Sequence, residues 1–268
     1  MITDVLINGA PSDGRIPVTD STVLRGDGCF EVVRAYDGRV FALDDHLDRL
    51  ARSAAALQID LPNRDDLVIW VEKTAMELGN GAVRVVVSRG SAVPGHEQPS
   101  NVIVFGHTWD DDFPPARLKT VAAPWHAAGV DWQLAGAKLT SYAPNMSASR
   151  VARDAGYDDA LLLTVDGVIL EGPTFSIAWV VDGIVETPGL GLGILDSITR
   201  RMMLEGTRRN DIPAAEGTWD AERLEAASEV MAISTLREIQ PVVAVDSRTW
   251  QPGPITEILS NWFSELTG

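Results

Sequence analysis

Lysines are so few in this sequence that the possible chemistry of each one can be considered separately. The 268-residue chain has 22 Lys and Arg residues, but its only lysines are Lys73, Lys119 and Lys138. Lys73 lies among acidic residues of a predicted helix and Lys119 follows an acidic stretch, which favours solvated positions for both. Lys138 follows the small apolar residues 134–137, where partial desolvation would make its amine nucleophilic. The alternative is a lysine that extends from a strand edge into water, and composition alone favours it.

A glycine-rich loop before a predicted helix is the second feature with possible chemistry. Gly189, Gly191 and Gly193 precede Asp196 and Ser197, either of which can cap the helix predicted over 197–208. The amide groups at a helix N-terminus attract anions. The loop does not follow a first strand with G-x-G-x-x-G spacing, so a dinucleotide site is rejected. The pattern therefore predicts an anion site at the start of this helix.

The elements that position these residues predict an α+β fold. Strands occur in hairpins, with Asp37-Gly38 and Asp166-Gly167 as turns, rather than alternating with helices. Helical periodicity is found over 44–57, 67–78 and 147–155 and from 254 onward. The charged, proline-rich stretch Asp110-Asp111-Asp112-Phe113-Pro114-Pro115 indicates a linker. We therefore predict two domains, 1–112 and 122–268, with a linker over 113–121.

Composition narrows the classes of function. A net charge of −16 would repel phosphate backbones, so no nucleic-acid partner is expected. No stretch approaches the roughly 20 apolar residues that span a bilayer, and the first residues do not resemble a signal peptide, so no membrane association is expected. The single cysteine, Cys29, excludes an internal disulfide and a cysteine-based zinc site, and it fits the cytoplasm. No metal is predicted.

Several motifs in order along the chain resemble the fold-type IV enzymes that depend on pyridoxal 5′-phosphate (PLP). That family includes branched-chain and D-amino-acid aminotransferases and aminodeoxychorismate lyase. The similarity covers nearly the whole chain, and its pieces lie at residues 26–31, 46–50, 138–145, 156–160, 171–172, 193–200, 229–230 and 234–242. Each piece alone is weak, but their order and spacing together are specific. The resemblance implies a smaller N-terminal α/β domain, a larger β-barrel-like C-terminal domain with helices, a PLP cleft between them and a homodimer.

The resemblance also implies roles for particular residues. Lys138 matches the lysine that anchors PLP and moves protons, and Glu171 matches the carboxylate at the pyridine nitrogen. The matches to the phosphate contacts are Arg49, Ile198, Thr199 and Thr235. Without the resemblance, Glu171 would be interpreted as an ordinary strand-end glutamate and Arg49 as a surface arginine. The family commonly has asparagine where this chain has Ser141 and Ser176.

The stretches 26–30, 86–91, 134–136 and 235–237 look closest to those of aminodeoxychorismate lyase. That enzyme acts on a small amino substrate, 4-amino-4-deoxychorismate, and releases pyruvate and 4-aminobenzoate. The alternative is a D-amino-acid or branched-chain aminotransferase. D-amino-acid aminotransferases hold the substrate carboxylate with an arginine and a histidine. His96 matches that histidine, although it is also interpretable as a plain loop residue, and Pro94 stands in place of the arginine. Arg25, Arg34 and Arg237 are further candidate carboxylate partners. A protein that only binds PLP is a third class, but such a homologue is expected to lose the lysine or the glutamate.

Overall fold

The chain is arranged in two compact units. The structure, a computed structural model, describes residues 2–110 and 113–267. The first unit contains the residues up to Asp110 together with Ala137–Tyr142. The second unit contains the residues after Asp110 as far as Gly136, and the residues from Ala143 onward. Asp111 and Asp112 of the predicted linker lie outside the described residues. The short segment that holds Lys138 thus packs with the first unit, whereas the sequence predicts it within the second domain.

The first unit is an antiparallel sheet with two long helices. Its strand order is β2-β1-β6-β5-β3-β4, with every pair antiparallel. In chain order its elements are β1 (Val5–Ile7), β2 (Ala10–Ser12), α1 (Ser21–Arg25), β3 (Gly28–Tyr36), β4 (Arg39–Val40), α2 (Leu43–Ala56), α3 (Arg64–Leu78), β5 (Gly81–Ser88) and β6 (Asn101–His107).

Local sequence explains these elements. Asp37 and Gly38 have φ angles of 47° and 78°, as a two-residue hairpin between β3 and β4 requires. The predicted helices over 44–57 and 67–78 are confirmed as α2 and α3 to within three residues. Leu47, Leu50 and Ala54 of α2 are buried at helical spacing and belong to the core on one face of the sheet. Alternation along β3 sends Cys29, Glu31, Val33 and Ala35 toward α2 and Phe30, Val32 and Arg34 to the opposite face.

The second unit is a larger mixed sheet with helices. Its strand order is β11-β10-β9-β12-β13-β7-β8, and β14 pairs with β13. The pairs β7–β8, β7–β13 and β10–β11 are parallel. In chain order its elements are β7 (Ala116–Ala122), α4 (Ala143–Asp154), β8 (Asp159–Leu163), β9 (Ser176–Val181), β10 (Ile184–Pro188), a 3₁₀ turn (Leu190–Leu192), α5 (Ile198–Arg209), β11 (Ala214–Gly217), a second 3₁₀ turn (Ala221–Ala226), β12 (Glu229–Ser234), β13 (Glu238–Val245), β14 (Arg248–Thr249) and α6 (Pro254–Thr267).

Strand β7 occupies most of the region that the sequence assigns to a linker. Ala116 and Leu118 are buried in the core with Leu161, Ile177 and Trp179. The alternation of buried and exposed residues in β7 spans only a few positions. It directly follows the charged, proline-rich stretch, so the sequence pattern does not indicate a strand there. β7 also pairs in parallel on both sides, so no hairpin turn next to it indicates a strand.

The described elements confirm the predicted α+β class. Among the residues described, no helix has the length and apolar character to cross a membrane.

Candidate active site

The segment Ala137–Tyr142 is fixed by main-chain hydrogen bonds to the start of β3. Phe30 N donates to Lys138 O at 3.0 Å, and Thr140 N donates to Gly28 O at 2.9 Å. On the other side, Lys138 N donates to the hydroxyl of Ser53 on α2 at 3.0 Å. The Lys138 backbone is therefore held by both a strand and a helix, which limits the directions its side chain can take.

Gly26 and Gly28 make this close approach possible. Gly26 has a φ of 69°, and a Cβ there would lie 3.0 Å from both Cα and Cβ of Ser141. A Cβ on Gly28 would lie 2.5 Å from the carbonyl oxygen of Val87. Gly26 also ends α1 as a left-handed C-cap. The motif Gly26-Asp27-Gly28 therefore has a structural reason here, which is contact with the lysine segment and with β5.

Replacing Gly26 by alanine tests whether this contact positions Lys138. We expect Gly26→Ala to cost about 1–2 kcal/mol from the left-handed backbone alone, and more from the contact with Ser141. Gly183→Ala is the control, since Gly183 has a φ of 77° but a methyl group there would have nothing within 4 Å. Thermal unfolding should show a loss of stability in both variants, whereas occupancy by PLP should fall only in Gly26→Ala. Equal occupancy in the two variants would contradict a positioning role.

Two aromatic rings surround the Lys138 amine. Its Nζ lies 4.6 Å from the ring centre of Phe30 and 5.6 Å from that of Tyr142. Nζ also donates a long hydrogen bond of 3.4 Å to the Tyr142 hydroxyl. The two rings pack edge to face, with centres 5.3 Å apart. The half-buried amine is therefore directed over aromatic faces, which favours the active-site interpretation over that of a lysine extending into water.

Arg49 lies on the buried side of α2, in a cluster with Glu31 and His46. Its Nε and one terminal nitrogen each donate to a different oxygen of Glu31, both at 2.7 Å. His46 Nδ1 lies 2.8 Å from the Glu31 carboxylate. Burial opposes ionisation of Glu31, but the charge and hydrogen bonds of Arg49 and His46 outweigh it and hold its pKa at about 2. Arg49 is 4% exposed, so it is not the surface arginine of an amphipathic helix.

The face of the sheet that bears Phe30 also presents arginines. Arg34 follows Phe30 by four positions, is buried, and has its guanidinium 5.1 Å from the ring centre of Tyr36. Arg84 of β5 pairs with Val32, so it lies on the same face. Burial lowers the pKa of Arg84, whose Nε donates to His107 at 3.1 Å. The sequence did not single out Arg84, although a lone arginine within Ala82-Val83-Arg84-Val85 is a detectable signal.

The remaining first-unit candidates, Arg25 and His96, are exposed. Arg25 is the last residue of α1, and His96 lies in a loop closed by a bridge between Ser91 and Gln98. Pro94, at the position of the expected arginine, lies in the same exposed loop. The loop begins at Arg89, whose guanidinium bonds Asp27 and the carbonyl of Leu57 at 2.5 Å each. Arg25 directly precedes the motif Gly26-Asp27-Gly28, and the loop that carries His96 is bonded to the same motif through Arg89 and Asp27.

In the second unit, Glu171 is positioned by a loop that precedes α5. Its two carboxylate oxygens lie 3.2 and 3.3 Å from Leu195 N. Its carbonyl accepts from Leu162 N of β8 at 2.9 Å. A Cβ on Gly172 would lie 2.1 Å from the Phe175 ring, which explains the pair Glu171-Gly172. The half-buried carboxylate is therefore held in an irregular segment between β8 and β9 by bonds to β8 and to the loop before α5.

The sequence predicts an anion site at the N-terminus of α5. Ser197 caps the helix by accepting a hydrogen bond from Arg200 N at 3.3 Å. Ile198 and Thr199 are the first two helical residues, and both side chains are buried. Their amides belong to the four at a helix start that have no partner within the helix. The geometry thus provides main-chain donors at the positions predicted from the sequence.

Thr235 and Arg237 lie in the turn between β12 and β13. The Arg237 guanidinium bonds Asp159 at 2.9 Å and lies 4.8 Å from the centre of the Phe175 ring. Asp159 also accepts from Ser149 at 2.6 Å. Arg237 therefore already has a carboxylate partner, which makes it a weaker candidate for substrate binding than the sequence predicts.

The groups present in the two units fit PLP. An amine is available for the cofactor aldehyde on Lys138, a carboxylate for the pyridine nitrogen on Glu171, and amides and an arginine for the phosphate. Five residues after Glu171, the Ser176 hydroxyl is buried with no hydrogen-bond partner among the described residues. Ser141, the other position where the family commonly has asparagine, is exposed. The chain thus carries the donor set that this cofactor requires, with the amine and the arginine in the first unit and the carboxylate and the amides in the second.

Comparison with known proteins identifies the family. Residues 28–245 match the model of the class IV aminotransferases, so the chain belongs to that family. The match confirms the predicted relationship to fold-type IV PLP enzymes, and with it PLP as the cofactor. A particular closeness to aminodeoxychorismate lyase does not follow from it.

The similar proteins are aminotransferases. The chain is 27% identical to D-alanine aminotransferase of Staphylococcus haemolyticus, covering 98% of each chain. Its fold is similar to that of a fold IV transaminase from Curtobacterium pusillum, with a TM-score of 0.87 and 28% identity over 97% of this chain and 94% of the other. It is also similar to a branched-chain aminotransferase from Thermoproteus uzoniensis, with a TM-score of 0.88 and 27% identity over 100% and 95% of the two chains.

Proposed function

We propose that this chain is a PLP-dependent aminotransferase that acts on a small amino acid, with D-amino acids as the first substrate class. The observation that supports it most strongly is the Lys138 amine, which is held over two aromatic rings by a docked segment. The named relatives are aminotransferases, which favours this reaction over the lyase reaction that the sequence cues favoured.

Each predicted residue has a defined task in this proposal. PLP, when bound, withdraws electrons from the substrate carbon that carries the amine. The Lys138 amine would anchor the cofactor and, once released, would take the proton from that carbon and deliver it to the cofactor carbon that had carried the aldehyde. The Glu171 carboxylate keeps the pyridine nitrogen protonated. Arg49, the amides of Ile198 and Thr199, and the Thr235 hydroxyl hold the phosphate.

The substrate carboxylate requires a cation near Lys138. We assign this task first to Arg34 and Arg84, because they lie on the same sheet face as Phe30, whose ring contacts the Lys138 amine. Arg25, at the end of α1, and His96, on a loop, are both exposed, where they could reach a site in a second subunit. Arg237, already paired with Asp159, is the weakest of these candidates.

We also propose a homodimer located in the cytoplasm. The homodimer is implied by the family resemblance and is compatible with the exposed positions of Arg25 and His96. A cytoplasmic location is consistent with the one cysteine, Cys29, which is buried and whose pKa burial raises to about 12, so the thiol stays protonated.

The lyase reaction on 4-amino-4-deoxychorismate is the second candidate. It is favoured by Pro94, which stands where a D-amino-acid aminotransferase would have a carboxylate-binding arginine. A larger substrate with a ring could compensate through other contacts. The lyase releases pyruvate and 4-aminobenzoate without an added keto acid, whereas an aminotransferase needs a keto acid to complete its cycle.

A substrate panel on the purified protein separates the two reactions. We expect D-alanine with 2-oxoglutarate to give pyruvate and glutamate, with no sustained turnover when the keto acid is omitted. His96→Ala should reduce this activity, and Glu97→Ala on the same exposed loop is its control. Release of 4-aminobenzoate from 4-amino-4-deoxychorismate without a keto acid, together with no turnover of D-alanine or branched-chain amino acids, would replace the aminotransferase proposal by the lyase.

A further inference from the structure

Glu31 is a fully buried acid whose task the proposed function does not yet include. Its side chain is 0% exposed and lies at the middle of β3, on the face toward α2. A buried carboxylate is costly unless its partners compensate it. Here they do, because both oxygens accept from Arg49 and one also faces His46. The acid is therefore satisfied by the arginine that the proposed function assigns to the phosphate, which links its position to that arginine.

We propose that Glu31, supported by His46, is a positioning residue that sets the direction of the Arg49 guanidinium toward the PLP phosphate. The proposal rests on the assignment of Arg49 to the phosphate in the proposed function. It adds that the charge of Arg49 alone is insufficient for tight binding of the phosphate, and that the Glu31 carboxylate, which orients Arg49, determines the phosphate affinity.

The geometry of the pair fixes the guanidinium plane. Two parallel hydrogen bonds of 2.7 Å, from Nε and from a terminal nitrogen, leave the planar group little freedom to rotate. An arginine side chain otherwise has many rotamers whose freedom is lost on binding a ligand. The pair with Glu31 removes that freedom before the cofactor arrives.

His46 fixes the carboxylate in turn. Its Nδ1 lies 2.8 Å from a Glu31 oxygen, so a protonated Nδ1 donates to the carboxylate, and burial lowers the pKa of the His46 ring. His46, Arg49 and Ser53 lie at positions i, i+3 and i+7 of α2, on the one helix face that is buried. Ser53 accepts from Lys138 N, so the same face supports both the lysine segment and the arginine.

A comparison of PLP with pyridoxal isolates the phosphate. Pyridoxal has the same aldehyde and ring but no phosphate, so its affinity does not depend on Arg49. An amide in place of the carboxylate accepts only one of the two Arg49 bonds and turns an N–H toward the other. We therefore expect Glu31→Gln to raise the Kd for PLP about tenfold while the Kd for pyridoxal stays unchanged. Equilibrium titration of visible absorbance measures both constants.

A second buried glutamate, paired with a partly exposed arginine, provides the matched control. Glu186 in the second unit accepts two hydrogen bonds from Arg223, at 2.9 and 2.6 Å, and one from the Trp179 ring N–H at 2.7 Å. Glu186→Gln should lower the Tm but leave the ratio of the PLP and pyridoxal constants unchanged. A ratio that shifts equally in both variants would mean that general destabilisation causes the effect, and the proposal would fail.

Two further variants separate position from charge. Arg49→Lys keeps the positive charge but cannot form the two-bond pair, so we expect it to weaken PLP as Glu31→Gln does. Glu31→Asp, which keeps the charge but shortens the side chain, serves where Glu31→Gln does not fold. Unchanged PLP binding in folded Glu31 variants would overturn the proposal, because Glu31 would then have no effect on the phosphate contact. Tighter PLP binding would also overturn it, because Glu31 would then compete with the phosphate for Arg49. Unchanged PLP binding in Arg49→Ala would instead overturn the phosphate assignment itself.

Discussion

Replacement of Lys138 by alanine is expected to abolish turnover and the visible absorption of bound cofactor, while the fold is retained. The amine is the group that binds the PLP aldehyde and that moves the substrate proton, so no part of the reaction proceeds without it. The fold should survive because the segment is held through the main-chain atoms of residue 138, which alanine keeps. Absorbance spectra, activity and far-UV circular dichroism of the purified variant measure the three properties.

Lys73→Ala is the control for this variant. Lys73 is exposed on α3, and its loss should change neither the spectrum nor the rate. Lys119 is less suitable, because its amine bonds Asp246 at 2.9 Å and its removal would affect stability. Normal absorption in folded Lys138→Ala would refute the assignment of the anchor.

Glu171→Gln is expected to keep the cofactor but to lose about fivefold or more in kcat. The anchor and the phosphate contacts do not involve Glu171, so occupancy should be near normal. A neutral amide cannot hold the pyridinium proton, and a charge-assisted hydrogen bond exceeds a neutral one by about 1 kcal/mol or more. Each 1.4 kcal/mol added to the barrier is about tenfold in rate.

The measurement separates binding from chemistry in Glu171→Gln. PLP affinity from absorbance titration should change little, whereas kcat at saturating cofactor should fall. Glu257→Gln, on the exposed side of α6, is the control and should leave both unchanged. A rate close to that of the unaltered protein would remove Glu171 from the mechanism.

Short-range patterns predicted much of the fold. The turn at Asp37-Gly38, the helices α2 and α3 and the capped start of α5 depend on neighbouring residues, and the structure confirms them. Strand β7 was missed because its partners, β8 and β13, are parallel and distant in sequence. Its pairing is a property of the whole sheet rather than of residues 116–122.

The candidate site was predictable where side chains follow a motif and unpredictable where the backbone makes the contact. Lys138 and Glu171 were predicted from the order of motifs. The docking of Ala137–Tyr142 on β3 was not, since Phe30 N and Gly28 O would make the same bonds with other side chains. Gly26 was the available signal for it. Arg84 could have been found as a charged residue that interrupts an apolar strand.

Reduction with borohydride followed by peptide mapping tests the central claim most directly. Borohydride fixes PLP irreversibly to the amine that anchors it, and the chain offers only the three lysines Lys73, Lys119 and Lys138 as side-chain anchors. We expect one pyridoxyl group per chain, on the peptide that contains Lys138. A pyridoxyl group on Lys73 or Lys119, or no incorporation after incubation with PLP, would contradict the account.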